Sequence, residues 1–383
     1  MTASRPEPAR PDPRRLLLIH PGALGDLVQA FPAFAQIRAT YPGAHVTLLT
    51  ADELAQFSAG FALFDRVQAF DTGVAYHGGA AARVALFARL AAALRAGRFD
   101  AVGVFKGAPA YAALAALTGA PVRAGLARGW GVHLLSQPLA MVPKVHHEDR
   151  YFDVARALGA TQALRPPVVW PAADVPGAFA AFAGVERRTA VTAEREVALV
   201  AVAPGGARNA KDDYAPKRWP AARFADALLR VARARPLAAV VLGGAGDRGE
   251  SEALQAALDG RVPVLDLAGA TSVAAARAVV ASCDAYLGND SGLMHVAGTT
   301  STPMVVVFGP TDPEVLAPRR AHVRAISHPA RSTSCRDEVA GRVRPCAAVC
   351  CMDRVDAGEV ADALATAIAT TLGSHRGDRA VHV

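Results

Sequence analysis

The chain has 383 residues, 52% of them hydrophobic and 20% charged. That is too long for one typical core and too apolar for a disordered chain, so two globular domains are expected. Forty-one Lys and Arg against 34 Asp and Glu leave a net charge of +7, which favours an anionic partner: a nucleotide, a nucleic acid or an acidic membrane surface. Aromatics are not interleaved with Lys and Arg, which argues against nucleic acid.

In chain order, the Pro/Arg-rich opening "MTASRPEPARPDPRR" lacks the apolar run of a signal peptide, and residues 1–13 read as a disordered tail. The runs "RRLLLIH", "AHVTLLT", "RVQAFD" and "FDAVGVF" then read as strands, with helices over "DLVQAFPAFAQIRATYP" and "AAARVALFARLAAALRAG". Continuous apolar runs rather than strict alternation predict strands of a parallel sheet buried on both faces. No stretch reads as a membrane span, since "GAPAYAALAALTGAPV" is short and broken by Gly and Pro. A cytoplasmic location is expected. The segment "HHEDRYFDVARALGA" reads as a helix ending at Gly159, and the Pro-rich "LRPPVVWPAADVPG" with the polar "GVERRTAVTAERE" reads as a domain boundary.

The alternation then restarts. "VALVAVAPGG", "LAAVVLGG", "VLDLAG", "AYLGND" and "MVVVFGP" read as strands, with "AARFADALLRVARA", "SEALQAALDG", "SVAAARAVVASC" and "SGLMHVAGTTS" as helices. The amphipathic "DAGEVADALATAIATTLG" closes the chain and could dock on either domain. The fold class is α/β, two doubly wound domains whose ligand sites lie beyond the carboxyl ends of the strands. Expected boundaries are 14–175 for the first domain, 176–355 for the second, and 356–383 for the terminal helix and tail.

Three constellations carry chemistry. "GALGD" leaves the first strand and meets neither the Gly-x-Gly-x-x-Gly dinucleotide fingerprint nor a P-loop. Gly22 and Gly25 permit a tight turn, and Asp26 at the start of the helix is either an N-cap or a base able to take a proton from a hydroxyl. In "YLGNDSGLMHVAG", Asp290 or Ser291 can cap the following helix. With Gly292 and Leu293 they could instead form an anion cradle, His295 being oriented to the same ligand. In "APGGARNAKDDYAPKRWP", Lys217 and Arg218 stand at a strand's carboxyl end, where cations suit a diphosphate, or else form a solvated loop anchored by Trp219. "FGPTDP" is a weaker turn signal. Cys283, Cys335, Cys346, Cys350 and Cys351 include no Cys-x-x-Cys pair and match no standard zinc signature, which leaves a metal site or free buried thiols as the options.

Taken in order, "HPGALGDLVQAFPAF", "KRWP", "LAGATSVAAARAVVASCDAYLGNDSGLMHVAG" and "FGPTDP" resemble glycosyltransferase family 9, the ADP-heptose:lipopolysaccharide heptosyltransferases, over about residues 14–372. The resemblance implies a GT-B fold, two Rossmann-like domains facing across a cleft, with the acceptor held mainly by the first and the nucleotide-sugar by the second. It implies Asp26 as general base, Lys217 on the donor diphosphate and Asp290 on the donor sugar. Ser291, Gly292 and Leu293 match the phosphate-binding turn, and His295 the motif histidine. The implied reaction is inverting transfer of a heptose from ADP-heptose to a lipopolysaccharide inner-core acceptor, without cofactor or metal, by a protein that could associate peripherally with the inner membrane. His20 stands where many members carry Arg or Lys, so an acceptor-anion contact there would depend on pH. A nucleotide-sugar epimerase of the same architecture and a non-catalytic nucleotide-sugar or glycolipid binder remain the alternatives.

Overall fold

The computed structural model describes residues 13–160, 166–192, 197–209, 211, 213–329, 335–337, 342–343 and 351–380. The chain divides into two compact units, Met1–Trp170 and Pro171–Val383.

The first unit runs β1 (Arg15–Ile19), α1 (Leu24–Thr40), β2 (His45–Ala51), α2 (Asp52–Ala59), β3 (Arg66–Phe70), α3 (Thr72–His77), α4 (Ala80–Ala96), β4 (Ala101–Val104), α5 (Pro109–Leu117), β5 (Val122–Leu126), β6 (Gln137–Leu139) and α6 (His147–Ala157). Its six strands are parallel, in the order β3-β2-β1-β4-β5-β6. All four residues Leu16, Leu17, Leu18 and Ile19 are buried, as a strand covered on both faces requires. Leu17 and Ile19 pack with Leu90 and Leu94 of α4 and with Ala112, Leu114 and Ala115 of α5. Helices α1 and α6 pack on each other. A 3-10 turn, Gly129–Leu134, packs on α5.

The second unit contains α7 (Gly177–Thr192), β7 (Ala198–Ala203), α8 (Ala221–Ala234), β8 (Leu237–Val241), α9 (Arg248–Leu258), β9 (Val264–Asp266), α10 (Val273–Ala281), β10 (Ala285–Asn289), α11 (Gly292–Ala297), β11 (Met304–Phe308), α12 (Pro313–Leu316), β12 (Val323–Ser327) and α13 (Ala357–Ala380). Its main sheet is again parallel, in the order β12-β11-β10-β7-β8-β9. Counted from each unit's own first strand, both sheets have the order 3-2-1-4-5-6 of a doubly wound nucleotide-binding fold. Side chains of β7 alternate between two cores: Val200 and Val202 meet α8 and α13, whereas Leu199 and Ala201 meet α10. The terminal helix packs on α8 of the second unit.

The strands expected from apolar runs are present. The polar "GVERRTAVT" forms the second half of α7; the alanine-rich turns before it start the helix, and its polar residues are compatible with continuing one. Strands β5, β6 and β12 are additional, and each carries Arg or Pro that interrupts its apolar pattern. Cys283, Cys335 and Cys351 are buried, whereas Cys346, Cys350 and residues 1–12 lie outside the described residues. Among the described residues no group of His, Cys, Asp and Glu could hold a metal, and no helix is long and apolar enough to cross a membrane.

Candidate active site

In each unit the candidate residues gather beyond the carboxyl ends of the two strands where the sheet order reverses, β1 and β4 in the first, β7 and β10 in the second. In open α/β sheets this switch point is where ligands bind.

In the first unit, β1 ends at Ile19 and the chain turns through Gly22, whose φ is +108°. A Cβ there would lie 2.8 Å from Leu54 Cδ1, at the end of a side chain that could shift, so it is the conformation that demands glycine. Helix α1 is capped by Ala23, with no side-chain cap. Asp26 is therefore not the N-cap; it lies in the first turn, with its carboxylate turned to two partners from distant elements. Lys106, just past β4, donates to Asp26 Oδ2 through a short contact. His147, the first residue of α6, places Nδ1 3.2 Å from Asp26 Oδ1. An ionised carboxylate only accepts, so His147 carries its proton on Nδ1. Burial pushes the Asp26 carboxyl up, but the Lys106 ammonium and the His147 hydrogen bond outweigh it and hold it well below the usual carboxylate range. Its side chain is still 23% exposed. The result is a reachable carboxylate at the end of the sheet, held toward its ionised form.

His20 does not serve as an anion contact. It is fully buried, edge-on to Tyr151 and Phe34, and its Nδ1 accepts from Gly22 N–H at 3.3 Å. Burial, helped by the nearby Lys106 charge, pushes its pKa down to about 3, so it is neutral at physiological pH. The resemblance left room for a pH-dependent anion contact here, but aromatic packing makes His20 part of the core.

In the second unit, Lys217 and Asp290 form one group: Lys217 Nζ is 2.6 Å from Asp290 Oδ2, and Asp290 is 3% exposed. Thr311, in the turn after β11, donates to the same oxygen at 2.6 Å. Burial raises the Asp290 carboxyl, but Lys217, Thr311 and the nearby His295 more than reverse this, leaving it below its ordinary value. The capping question is resolved: Ser291 is the N-cap of α11, its hydroxyl accepting from Met294 N–H at 3.5 Å. Gly292 and Leu293 open that helix, half-buried, while His295 is buried within it rather than displayed in its first turn. Arg218 turns away from Lys217 to pair with Asp213 and Glu250.

Two features hold these residues in register. Gly206, with φ +95°, runs its backbone against Ser291, where a Cβ would come within 2.5 Å of Ser291 Cβ. Asn289, fully buried, accepts from Trp219 N–H at 3.0 Å and donates to the carbonyls of Pro204 (2.8 Å) and Gly205 (3.2 Å). One amide thus joins the glycine turn after β7, the "KRWP" segment and the end of β10. The sequence pointed to Asp26, Lys217, Asp290 and Ser291 through local motifs. Lys106, His147, Asn289 and Thr311 were missed: Lys106 and His147 act on Asp26 from 80 and 121 positions away, and no local pattern marks them. Asn289 and Thr311 lie inside quoted motifs, but only the tertiary structure shows what they touch.

Comparison with known proteins bears on the family and the fold. Residues 87–341 match the family model "Glycosyltransferase family 9 (heptosyltransferase)". The lipooligosaccharide heptosyltransferase 2 of Haemophilus influenzae is 32% identical over 35% of this chain and 37% of its own length. The lipopolysaccharide heptosyltransferase 2 of Escherichia coli is 29% identical over 46% and 50% respectively, so the chain spans about half the length, or less, of these curated relatives. The solved E. coli ADP-heptose lps heptosyltransferase II superposes with a TM-score of 0.67 at 21% identity, covering 93% of this chain and 99% of that one. That likeness establishes a shared fold, which is of the GT-B type. With the family model matching two thirds of its length, the chain belongs to glycosyltransferase family 9.

Proposed function

We propose that the protein is an inverting heptosyltransferase that moves a heptose from ADP-heptose to a hydroxyl of a lipopolysaccharide inner-core acceptor. The observation that carries this reading is Asp26, an ionised and partly exposed carboxylate at the switch point of the first sheet. In the reaction, the acceptor oxygen forms a bond to the anomeric carbon as the bond from that carbon to the ADP oxygen breaks. Asp26 takes the acceptor's proton, and ADP leaves with the bonding pair. Lys217 is the cation placed to meet the charge that develops on the departing diphosphate. Asp290, once Lys217 turns to the diphosphate, offers its carboxylate to sugar hydroxyls. Ser291, Gly292 and Leu293 bring the opening of α11 to the same end of the sheet.

The depressed proton affinity of Asp26 fits a base whose first requirement is to be ionised at every working pH. It also means that Lys106 must loosen as the proton arrives, because a protonated Asp26 no longer attracts the ammonium. The test is transfer from ADP-heptose to deep-rough core acceptor, with and without chelator, for wild type and Asp26→Asn. The expected result is chelator-resistant transfer that falls roughly 100- to 10,000-fold in the variant, the range for losing a general base, with donor binding intact. Full activity of Asp26→Asn would remove Asp26 from this role. Donor consumption without acceptor would point to an epimerase.

A further inference from the structure

The hydroxyl of Tyr286 is a buried polar group that the reaction proposed above does not use. Tyr286 lies on β10 and is fully buried, in the core that also holds Met294 of α11 and Val306 of β11. Side chains of a strand alternate between its faces, so Tyr286 and Gly288 share one. The phenol runs along that face toward the carboxyl end of the sheet. Its Oη occupies the space that a Cβ on Gly288 would need, and its Cζ would lie 2.8 Å from that Cβ. The missing side chain at position 288 is therefore what lets the hydroxyl reach the end of the sheet where Ser291 stands.

A buried tyrosine hydroxyl normally has a partner. Tyr286 Oη makes no hydrogen bond of acceptable geometry among the described residues. Burial pushes its proton affinity up; the Ser291 side chain beside it works the other way, and the charge of Asp247 adds to the rise. Asp247 is already engaged, accepting from the N–H groups of Gly206 and Gly244 at 2.8 Å each and from Arg208 at 2.9 Å. Ser291 is held more loosely. Its Oγ accepts from Met294 N–H at 3.5 Å, the long limit of such a bond, and a hydroxyl so engaged keeps a second lone pair and its own proton. Two near misses thus converge on one oxygen, Ser291 Oγ.

We propose that Tyr286 is a positioning residue for the donor diphosphate: when a phosphate oxygen reaches Ser291, Ser291 turns its proton to that oxygen and Tyr286 donates to Ser291 Oγ. Both hydroxyls keep their protons, and only the directions of hydrogen bonds change. A hydroxyl without a partner in the free protein gains one in the complex, and a chain of two hydrogen bonds polarises each member toward the anion. This inference rests on the transferase reading, which places the diphosphate at Ser291.

The test measures ADP binding by titration calorimetry and ligand-free Tm by scanning calorimetry, on the full chain. Tyr286→Phe should weaken ADP about 3- to 10-fold, the size of one neutral hydrogen bond. Its Tm should be no lower than that of wild type, because the group removed had no partner to lose. In a Ser291→Ala background the same change should cost no further affinity, since the oxygen that couples the two is gone. In a Ser291→Thr background, which keeps the hydroxyl, the loss should persist. A hydroxyl with a purely structural role gives another pattern: a lower Tm with ADP affinity unchanged, or the same loss of affinity whether residue 291 is Ser or Ala. Either result would overturn the proposal while leaving ADP binding by wild type, and with it the donor reading, in place. A wild type that does not bind ADP would overturn both.

Discussion

Replacing Asn289 by alanine tests how the second unit's site is held together. The side chain is fully buried and makes three hydrogen bonds, to Trp219 N–H and to the carbonyls of Pro204 and Gly205. Leaving the buried Trp219 N–H without its acceptor costs about 1–3 kcal/mol, and each bond to a carbonyl is worth about 0.5–1.5 kcal/mol net. A loss of about 4 kcal/mol follows, and at about 2–4 °C per kcal/mol for a unit of this size the Tm falls by about 8–16 °C. Because the same amide fixes the segment that carries Lys217, the KM for ADP-heptose should rise at least about tenfold, the effect of 1.4 kcal/mol, with a smaller change in kcat. Asn289→Asp is the informative partner. It keeps an acceptor for Trp219 but turns a carboxylate toward two carbonyls, so it should be no more stable than the alanine variant. Scanning calorimetry and initial rates check both. A Tm within 2 °C of wild type (about 1 kcal/mol) together with an unchanged donor KM would refute the idea that this amide organises the site.

Three further outcomes are expected. Lys106→Met removes the cation that does most to hold the Asp26 carboxyl down, so the acid limb of the kcat/KM profile should move to higher pH, while the same change at the surface residue Lys144 leaves it in place. His20 is neutral when folded, with its pKa pushed down to about 3, whereas the unfolded chain takes up that proton near 6.5. Its contribution is therefore complete above about pH 6.5 and declines by about 1.4 kcal/mol per pH unit below it until about pH 3; His20→Phe should flatten that part of a urea-unfolding series. Gly206→Ala meets both a left-handed φ and Ser291 Cβ at 2.5 Å, so it should cost about 1–3 kcal/mol in backbone strain alone and weaken donor binding in titration calorimetry.

Much of this architecture was legible in the sequence. Strands such as β1, β7 and β11 are continuous apolar runs, and a strand buried on both faces leaves that trace. Strand β5 ("VRAGL") was not legible, because its arginine spends its hydrogen bonds on the carbonyls of Leu134 and Ala120 and is tolerated near the sheet's edge. Asp26 stood out because a glycine turn before a helix marks its position. The residues that set its charge state did not, since parallel strands bring β4 and the start of α6 beside β1 only through crossovers. Even within a motif, sequence left the roles of neighbours open: Asp290 and Ser291 were equally able to cap α11, and the choice was made by Lys217 and Thr311, which engage Asp290 and leave Ser291 to the helix.

The pairing of Lys217 with Asp290 has a kinetic meaning as well as a structural one. A lysine standing alone in a pocket would grip any diphosphate, spent product included, and release could then limit turnover. Here the ammonium already has a resident counterion, Asp290, at 2.6 Å. On the proposed reading, an incoming diphosphate has to compete with that carboxylate, which lowers ground-state affinity for donor and product alike. The attraction is felt most fully at the moment when the leaving group's charge is greatest. An internal rival of this kind trades tightness for turnover.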